Sequence, residues 1–209
     1  MTMTSIRELL PSDAFGRHRL KIAFVGSHGV GKTTLCFDLA SQLKRLDLGV
    51  DIVKEVARRC PLPINEGTTP DAQAWIIHTQ MAEEIAASAT YEVVICDRSV
   101  LDNYAYLVAR VGRRPELDPL VQSWITTYDA LFKVPIVSAP SFDGTRAVSP
   151  SFQVEIDDAI DRLLDEFNVD VMHLDAKDRD GWIPDVLRSL SLPSRPPQID
   201  LFGPTAVAS

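Results

Sequence analysis

The stretch AFVGSHGVGKTTLCFDLA, Ala23 to Ala40, decides how the chain is read. An apolar run stops at Gly26, and Gly29 and Gly31 follow before Lys32-Thr33-Thr34. Leu35, Leu39 and Leu43 then recur at helical spacing. Gly26, Gly31, Lys32 and Thr33 satisfy GxxxxGK[ST], and the pattern lies between an expected strand and an expected helix, the setting it requires. Glycines let a backbone wrap a phosphate chain with its N–H groups pointing inward, and the helix start adds the positive end of its dipole. The nine residues Gly26, Ser27, His28, Gly29, Val30, Gly31, Lys32, Thr33 and Thr34 are therefore expected to cradle the phosphates of a nucleotide cofactor. Lys32 supplies a charge for the β- and γ-phosphates, and the Thr33 hydroxyl is placed to ligate Mg²⁺. His28 is expected to point to solvent or to pack on the loop, with no metal role.

Such a loop needs an acid across from it. The sequence EVVICDRS ends a continuous apolar strand on Asp97, where a buried carboxylate would be costly without a cation nearby. Asp97 is thus the second expected Mg²⁺ ligand or a catalytic acid. Arg98, next to it, has the bidentate geometry to hold an acceptor or a phosphoryl oxygen. Glu55 closes the second strand and is a candidate to receive a proton from an acceptor hydroxyl. Of Arg58 and Arg59, one is expected to face the pocket and the other solvent. Arg146, in the loop after the fourth strand, is expected to close over the moving phosphoryl group and stabilise its charge.

Outward from these residues the chain alternates strand and helix: strands at 19–26, 49–55, 91–99, 131–139 and 169–175, with helices between and after them. Alternation of this kind implies an α/β fold, a mostly parallel sheet with helices on both faces. Thr69-Pro70-Asp71 and Ser149-Pro150 read as helix starts, and Ser99 with Asp102 has capping-box spacing. Pro135 inside the fourth strand points to an edge position or a bulge. Trp75, Trp124 and Phe152 are expected in the core. The organisation is an N-terminal extension (1–18), one globular domain (19–191) and a Pro-rich C-terminal tail (192–209).

The composition fits that reading. With 21 Lys+Arg against 29 Asp+Glu the chain carries a formal charge of −8, which disfavours a general nucleic-acid-coating role. Cys36, Cys60 and Cys96 form no CxxC pair and are expected as free thiols. No stretch approaches a membrane span, so the expected location is the cytoplasm.

The segments GSHGVGKTT, KEVARRCPLPINEGTT, VVICDRSVLDNYAYL, DGTR and SFQVEIDDAIDRLL resemble the small AAA-labelled P-loop proteins. These are grouped with the nicotinamide-riboside kinase domain and with thymidylate-kinase-like and deoxynucleoside kinases. The likeness spans about residues 20–190 and implies a three-layer P-loop fold with strand order 2-3-1-4-5. The Asp97-Arg98-Ser99 step resembles the Asp/Glu-Arg step of those kinases, whose arginine faces the acceptor or the transferring phosphates. Glu55 matches the acid that acts on the sugar hydroxyl, and Arg146 resembles a lid arginine. Ser99 departs from the tyrosine of true thymidylate kinases. The lid lacks multiple arginines, and Asp175–Asp178 (DAKD) stands in place of a guanine-reading motif, which leans toward ATP.

The resemblance implies an ATP- and Mg²⁺-dependent kinase acting on a small nucleoside- or nucleotide-like acceptor. Many relatives form dimers, so a homodimer is open. Two other readings remain at this point: a kinase for a hydroxyl on a modified base in DNA, and an ATPase switch acting through a protein partner.

Overall fold

The computed structural model describes residues 6–13, 16–64, 67–137 and 149–195. Arg146, the rest of its loop and the chain beyond residue 195 lie outside the described residues.

Five strands form one all-parallel sheet. They are β1 (Leu20–Val25), β2 (Val50–Val53), β3 (Val93–Asp97), β4 (Ala130–Lys133) and β5 (Met172–His173), in the order β2-β3-β1-β4-β5. The helices are α1 (Lys32–Arg45), α2 (Pro70–Thr90), α3 (Val100–Val111), α4 (Asp118–Ile125), α5 (Pro150–Glu166) and α6 (Trp182–Ser189).

Strand side chains alternate between two cores, as a period of two requires. Ile22, Phe24, Val93, Ile95 and Phe132 pack under α1 and α6. Ala23, Val25, Val94, Cys96 and Leu131 pack under α2, α3, α4 and α5. Burial on both faces is why β1 and β3 read as unbroken apolar runs. Parallel pairing brings the carboxyl ends of β1 and β3 side by side, with Phe24 opposite Asp97. The loops that leave those ends, after Val25 and after Asp97, are therefore neighbours.

The local helix signals act as their chemistry demands. Thr69 caps α2 through Ala72 N at 3.2 Å, and Ser149 caps α5 through Phe152 N at 3.3 Å. Ser99 and Asp102 form a reciprocal capping box on α3.

The fourth strand differs from expectation. It ends at Lys133, before Pro135, and lies inside the sheet between β1 and β4's other neighbour, β5. Its pairing with β1 closes with Val134 N donating to Val25 O at 2.8 Å, so the proline, which has no N–H, falls just past the last bond it could have broken. Neither an edge position nor a bulge is needed. Phe152 is buried as expected, whereas Trp75 and Trp124 are half-buried. Cys36 and Cys96 are buried free thiols whose pKa values burial pushes up, and Cys60 is half-buried. Among the described residues no helix is long and apolar enough to cross a membrane.

Candidate active site

The glycine loop between β1 and α1 is built around positive φ angles at Gly26 (146°), Gly29 (82°) and Gly31 (98°). Gly26 has a second constraint: a Cβ there would stand 2.7 Å from Val134 O. Two acids hold the loop from behind. Asp102 Oδ1 accepts from Gly26 N at 2.8 Å, and Asp157 Oδ1 of α5 accepts from Ser27 N at 3.2 Å. Asp157 is itself paired with buried Lys133 at 3.3 Å, and Lys133 also pairs with Asp161.

Lys32 is buried and folds back over the loop, donating to Gly26 O at 2.6 Å and Ser27 O at 2.5 Å. Burial, and then the Arg98 charge, lower its pKa to about 8. The N-cap of α1 is Gly31, which has no side chain to cap its first amides, so among the described residues they stay available to an anion. The Thr33 hydroxyl donates to Asp97 Oδ2 at 2.6 Å, which joins the loop to the end of β3. Burial raises the pKa of Asp97, with Lys32 and the Thr33 hydrogen bond acting against it.

Arg98 sits at φ 92°, a conformation strained for a residue with a side chain. The surrounding bonds over-determine it. Its guanidinium meets Glu55 Oε1 through Nε at 2.8 Å and Nη2 at 2.7 Å. Its carbonyl accepts from Gln80 Nε2 at 3.1 Å, and its Cζ lies 5.1 Å from the Tyr106 ring centroid. Burial alone would raise the Glu55 pKa, but Arg98, Lys32 and Arg58 outweigh it and hold the carboxyl at about 2. Glu55 in turn outweighs burial at Arg98 and raises its pKa further.

Arg58 reaches Glu55 Oε2 at 2.8 Å, whereas Arg59 turns away to Glu83. Both arginines are exposed and neither lines the cavity that Glu55 and Arg98 border; Arg58 touches the site through Glu55.

A cavity of about 120 Å³ is lined by Gly29, Gly31, Lys32, Thr33, Thr34, Glu55, Asp97 and Arg98. Larger cavities, of about 520 and 680 Å³, lie at the amino ends of the strands, beside Leu20 and Ala130. The small one gathers the reactive groups, and in open parallel sheets ligands bind at the carboxyl ends of strands. It has room for part of a nucleotide, the polyphosphate end, since whole small-molecule sites run to several hundred Å³.

His28 is buried instead of facing solvent. Its Nδ1 is 3.0 Å from the Tyr106 hydroxyl, and its ring stands 5.4 Å from that of Phe152. Its carbonyl accepts from Gln153 Nε2 at 2.7 Å. The loop therefore packs on α3 and α5 through this histidine.

Sequence reasoning missed several contributors. Asp102 was legible as a cap but not as the anchor of Gly26. Asp157 and Gln153, on one face of α5, gave no signal beyond their helical spacing. Buried side-chain atoms without a hydrogen-bond partner among the described residues include Arg98 Nη1, Gln73 Oε1 and Asn103 Nδ2. Buried polar groups are rarely left so, and of these Arg98 lines the cavity, where a ligand could meet it.

Asp102 should matter to the fold as well. Its carboxylate is fully buried and accepts from Gly26 N, Ser99 N at 2.8 Å and Ser99 Oγ at 2.7 Å. Asp102→Ala leaves buried donors unpaired and is expected to cost about 2–4 kcal/mol. Urea unfolding of the free chain measures this, and a loss below about 0.5 kcal/mol would refute the anchoring role.

The sequence matches the AAA domain family over residues 21–180, most of the chain, and the chain belongs to that family. No curated protein sequence matches it. Among solved structures it is similar to deoxyadenosine kinase from M. mycoides with bound dATP. That match has a TM-score of 0.61 and 14% identity, and covers 83% of this chain and 100% of the other. The same kinase with products dCMP and a flexible dCDP bound matches with a TM-score of 0.59 and 15% identity, covering 82% and 98%. NadR protein in complex with NR matches with a TM-score of 0.64 and 21% identity, covering 84% of this chain and 53% of that one. The fold is that of the P-loop kinases, with the strand order found here.

Proposed function

We propose that this chain is an ATP- and Mg²⁺-dependent kinase that transfers the γ-phosphoryl group to a nucleoside- or nucleotide-like acceptor. The observation that carries the proposal is the Thr33–Asp97 contact at 2.6 Å, with the Glu55–Arg98 pair lining the same cavity. A nucleotide switch has no need of that second, acceptor-side pair. The kinase fold of the similar structures, seen with a deoxynucleotide and with NR, supports a nucleoside-like acceptor.

In this reading the amides of 26–34 hold the triphosphate, and Lys32 leaves the loop carbonyls to meet the β- and γ-phosphates. A hydroxyl and a carboxylate in contact at the loop mouth are oxygen donors suited to Mg²⁺. Thr33 and Asp97 would hold it, and when bound it neutralises charge on the phosphate oxygens. Arg98, held by Glu55 and lining the cavity, orients the acceptor or the moving phosphoryl group. Arg146 is the proposed lid arginine.

The acceptor hydroxyl oxygen forms the new bond to γ-phosphorus, the bond to the β–γ bridging oxygen breaks, and ADP leaves. Glu55 accepts a hydrogen bond from that hydroxyl. Held at about 2 by Arg98, Lys32 and Arg58, it is a weak base, which suits a loose transition state in which the hydroxyl proton passes to it late, as the new oxygen–phosphorus bond forms.

Labelled ATP and Mg²⁺ incubated with nucleosides, pyridine ribosides, nucleoside monophosphates and hydroxymethylated DNA test this. Label is expected in a small acceptor, with negligible turnover when none is added. Turnover indifferent to every acceptor would overturn the kinase reading, and label in DNA alone would overturn the small-molecule acceptor.

A further inference from the structure

The loop between β5 and α6, residues 174–181, reaches back over the glycine loop and brings an arginine that the site described so far does not use. Arg179 Nη2 lies 2.9 Å, and its Cζ 3.7 Å, from where a Cβ on Gly31 would stand. The guanidinium thus rests on the face of Gly31 that lacks a side chain, one residue before Lys32. Gly31 is thereby constrained twice, by its φ of 98° and by the arginine against it.

The position is held by the loop and is not a chance of a long side chain. Trp182 is buried and fixes the loop by donating from Nε1 to Asp175 O at 2.7 Å. Asp175 Oδ1 accepts from Lys177 N at 2.9 Å, and Asp178 Oδ1 from Gly181 N at 3.0 Å. Arg179 Cζ stands 5.6 Å from the Trp182 ring centroid, so the aromatic ring supports one side of the guanidinium.

The charge pattern points the same way. Asp175, Asp178 and Asp180 surround Arg179 in sequence, yet it forms no ion pair among the described residues. An exposed arginine flanked by acids ordinarily pairs with one of them. Here two of those acids are engaged in the turns of their own loop, and the cation turns to a loop whose amides await an anion.

Resting on the nucleotide reading above, we propose that Arg179 is a nucleotide-binding residue that contacts the polyphosphate of the bound nucleoside triphosphate. From its place against Gly31 it adds a planar fork of donors to the amides of Gly31 and Lys32. Contact with phosphate makes its contribution independent of the base.

Calorimetric titration of the full chain with ATP, GTP and inorganic tripolyphosphate, in Mg²⁺, tests this. Arg179→Ala is expected to weaken all three by a similar factor, about five- to twentyfold. Arg179→Lys is expected to recover part of the loss, since it keeps the charge without the fork. Because Arg179 is exposed, the melting curve of each variant should match that of the parent chain.

Binding by Arg179→Ala within twofold of the parent chain would overturn this inference alone. A loss confined to one base, with tripolyphosphate unaffected, would overturn the phosphate contact. A parent chain that binds none of the three would overturn the nucleotide reading and this inference with it.

Discussion

Lys32→Ala is expected to reduce phosphoryl transfer by about 10²- to 10³-fold while leaving the chain folded. In the free chain the ammonium is parked on two carbonyls of its own loop, Gly26 O and Ser27 O. The carbonyls are buried, but Lys32 itself lines the cavity, so water can enter the space its side chain leaves. The lowered pKa, about 8, means that burial works against the cation in the folded state, so its removal relieves a cost as well as losing two hydrogen bonds. The melting temperature should therefore stay within about 3 °C of the parent chain. Lys32→Arg keeps the charge but replaces a compact ammonium with a wide fork in an enclosed space, and should not restore transfer. Single-turnover transfer from labelled ATP and circular-dichroism melting, run on the same samples, separate the two effects. Transfer retained in Lys32→Ala would sink the assignment of the loop, and a collapsed melt would make Lys32 a structural residue.

What could be read without coordinates was local chemistry and period. The GxxxxGKT loop, the apolar runs of β1 and β3 and the three Ser/Thr helix starts each follow from a few neighbouring residues. The pairing of Asp97 with Thr33 was legible because strand ends meet loops on a parallel sheet. Orientation was not legible. Glu83 and Glu84 are adjacent and chemically identical, yet Glu83 takes Arg59 at the surface while Glu84 is buried. One step along a helix is a rotation of about 100°, and only the packing of α2 on the sheet says which of the two goes inside. His28 was misjudged for a related reason: its partners Tyr106 and Phe152 come from helices far along the chain. Contacts of that range, such as Asp102 with Gly26 and Arg179 with Gly31, have no local signature. They are made by topology, which the sequence specifies only through the sum of its packing.

Glu84 leads to the largest expected loss of stability. Its carboxylate is buried at the amino end of β1, where it takes four donors. Oε1 accepts from the Tyr128 hydroxyl at 2.6 Å and Gln80 Nε2 at 2.9 Å, and Oε2 from Lys21 Nζ at 3.1 Å and Trp124 Nε1 at 2.7 Å. The Lys21 ammonium also lies 4.9 Å and 4.5 Å from the Trp124 and Tyr128 ring centroids, so α2, α4 and the sheet converge on one charged pair. Removing one member of a buried pair leaves the other without compensation, and Glu84→Ala is expected to cost about 3–5 kcal/mol. Glu84→Gln keeps the shape, loses the charge and turns an amide toward donors, so it should cost less, about 1–3 kcal/mol. If the loss comes from stranding Lys21, adding Lys21→Met to Glu84→Ala should return part of it. Urea unfolding of the three variants measures each quantity. A Glu84→Ala loss below about 1 kcal/mol would mean that water reaches the pair and that it holds nothing together. The same cluster bears on the site through one residue. Gln80 Nε2 serves both Glu84 Oε1 and the carbonyl of Arg98, and so ties the strained φ of Arg98 to the buried Glu84 carboxylate. Strain of that kind persists only while its surroundings hold it, so Glu84→Gln, still folded, should weaken transfer more than it weakens ATP binding.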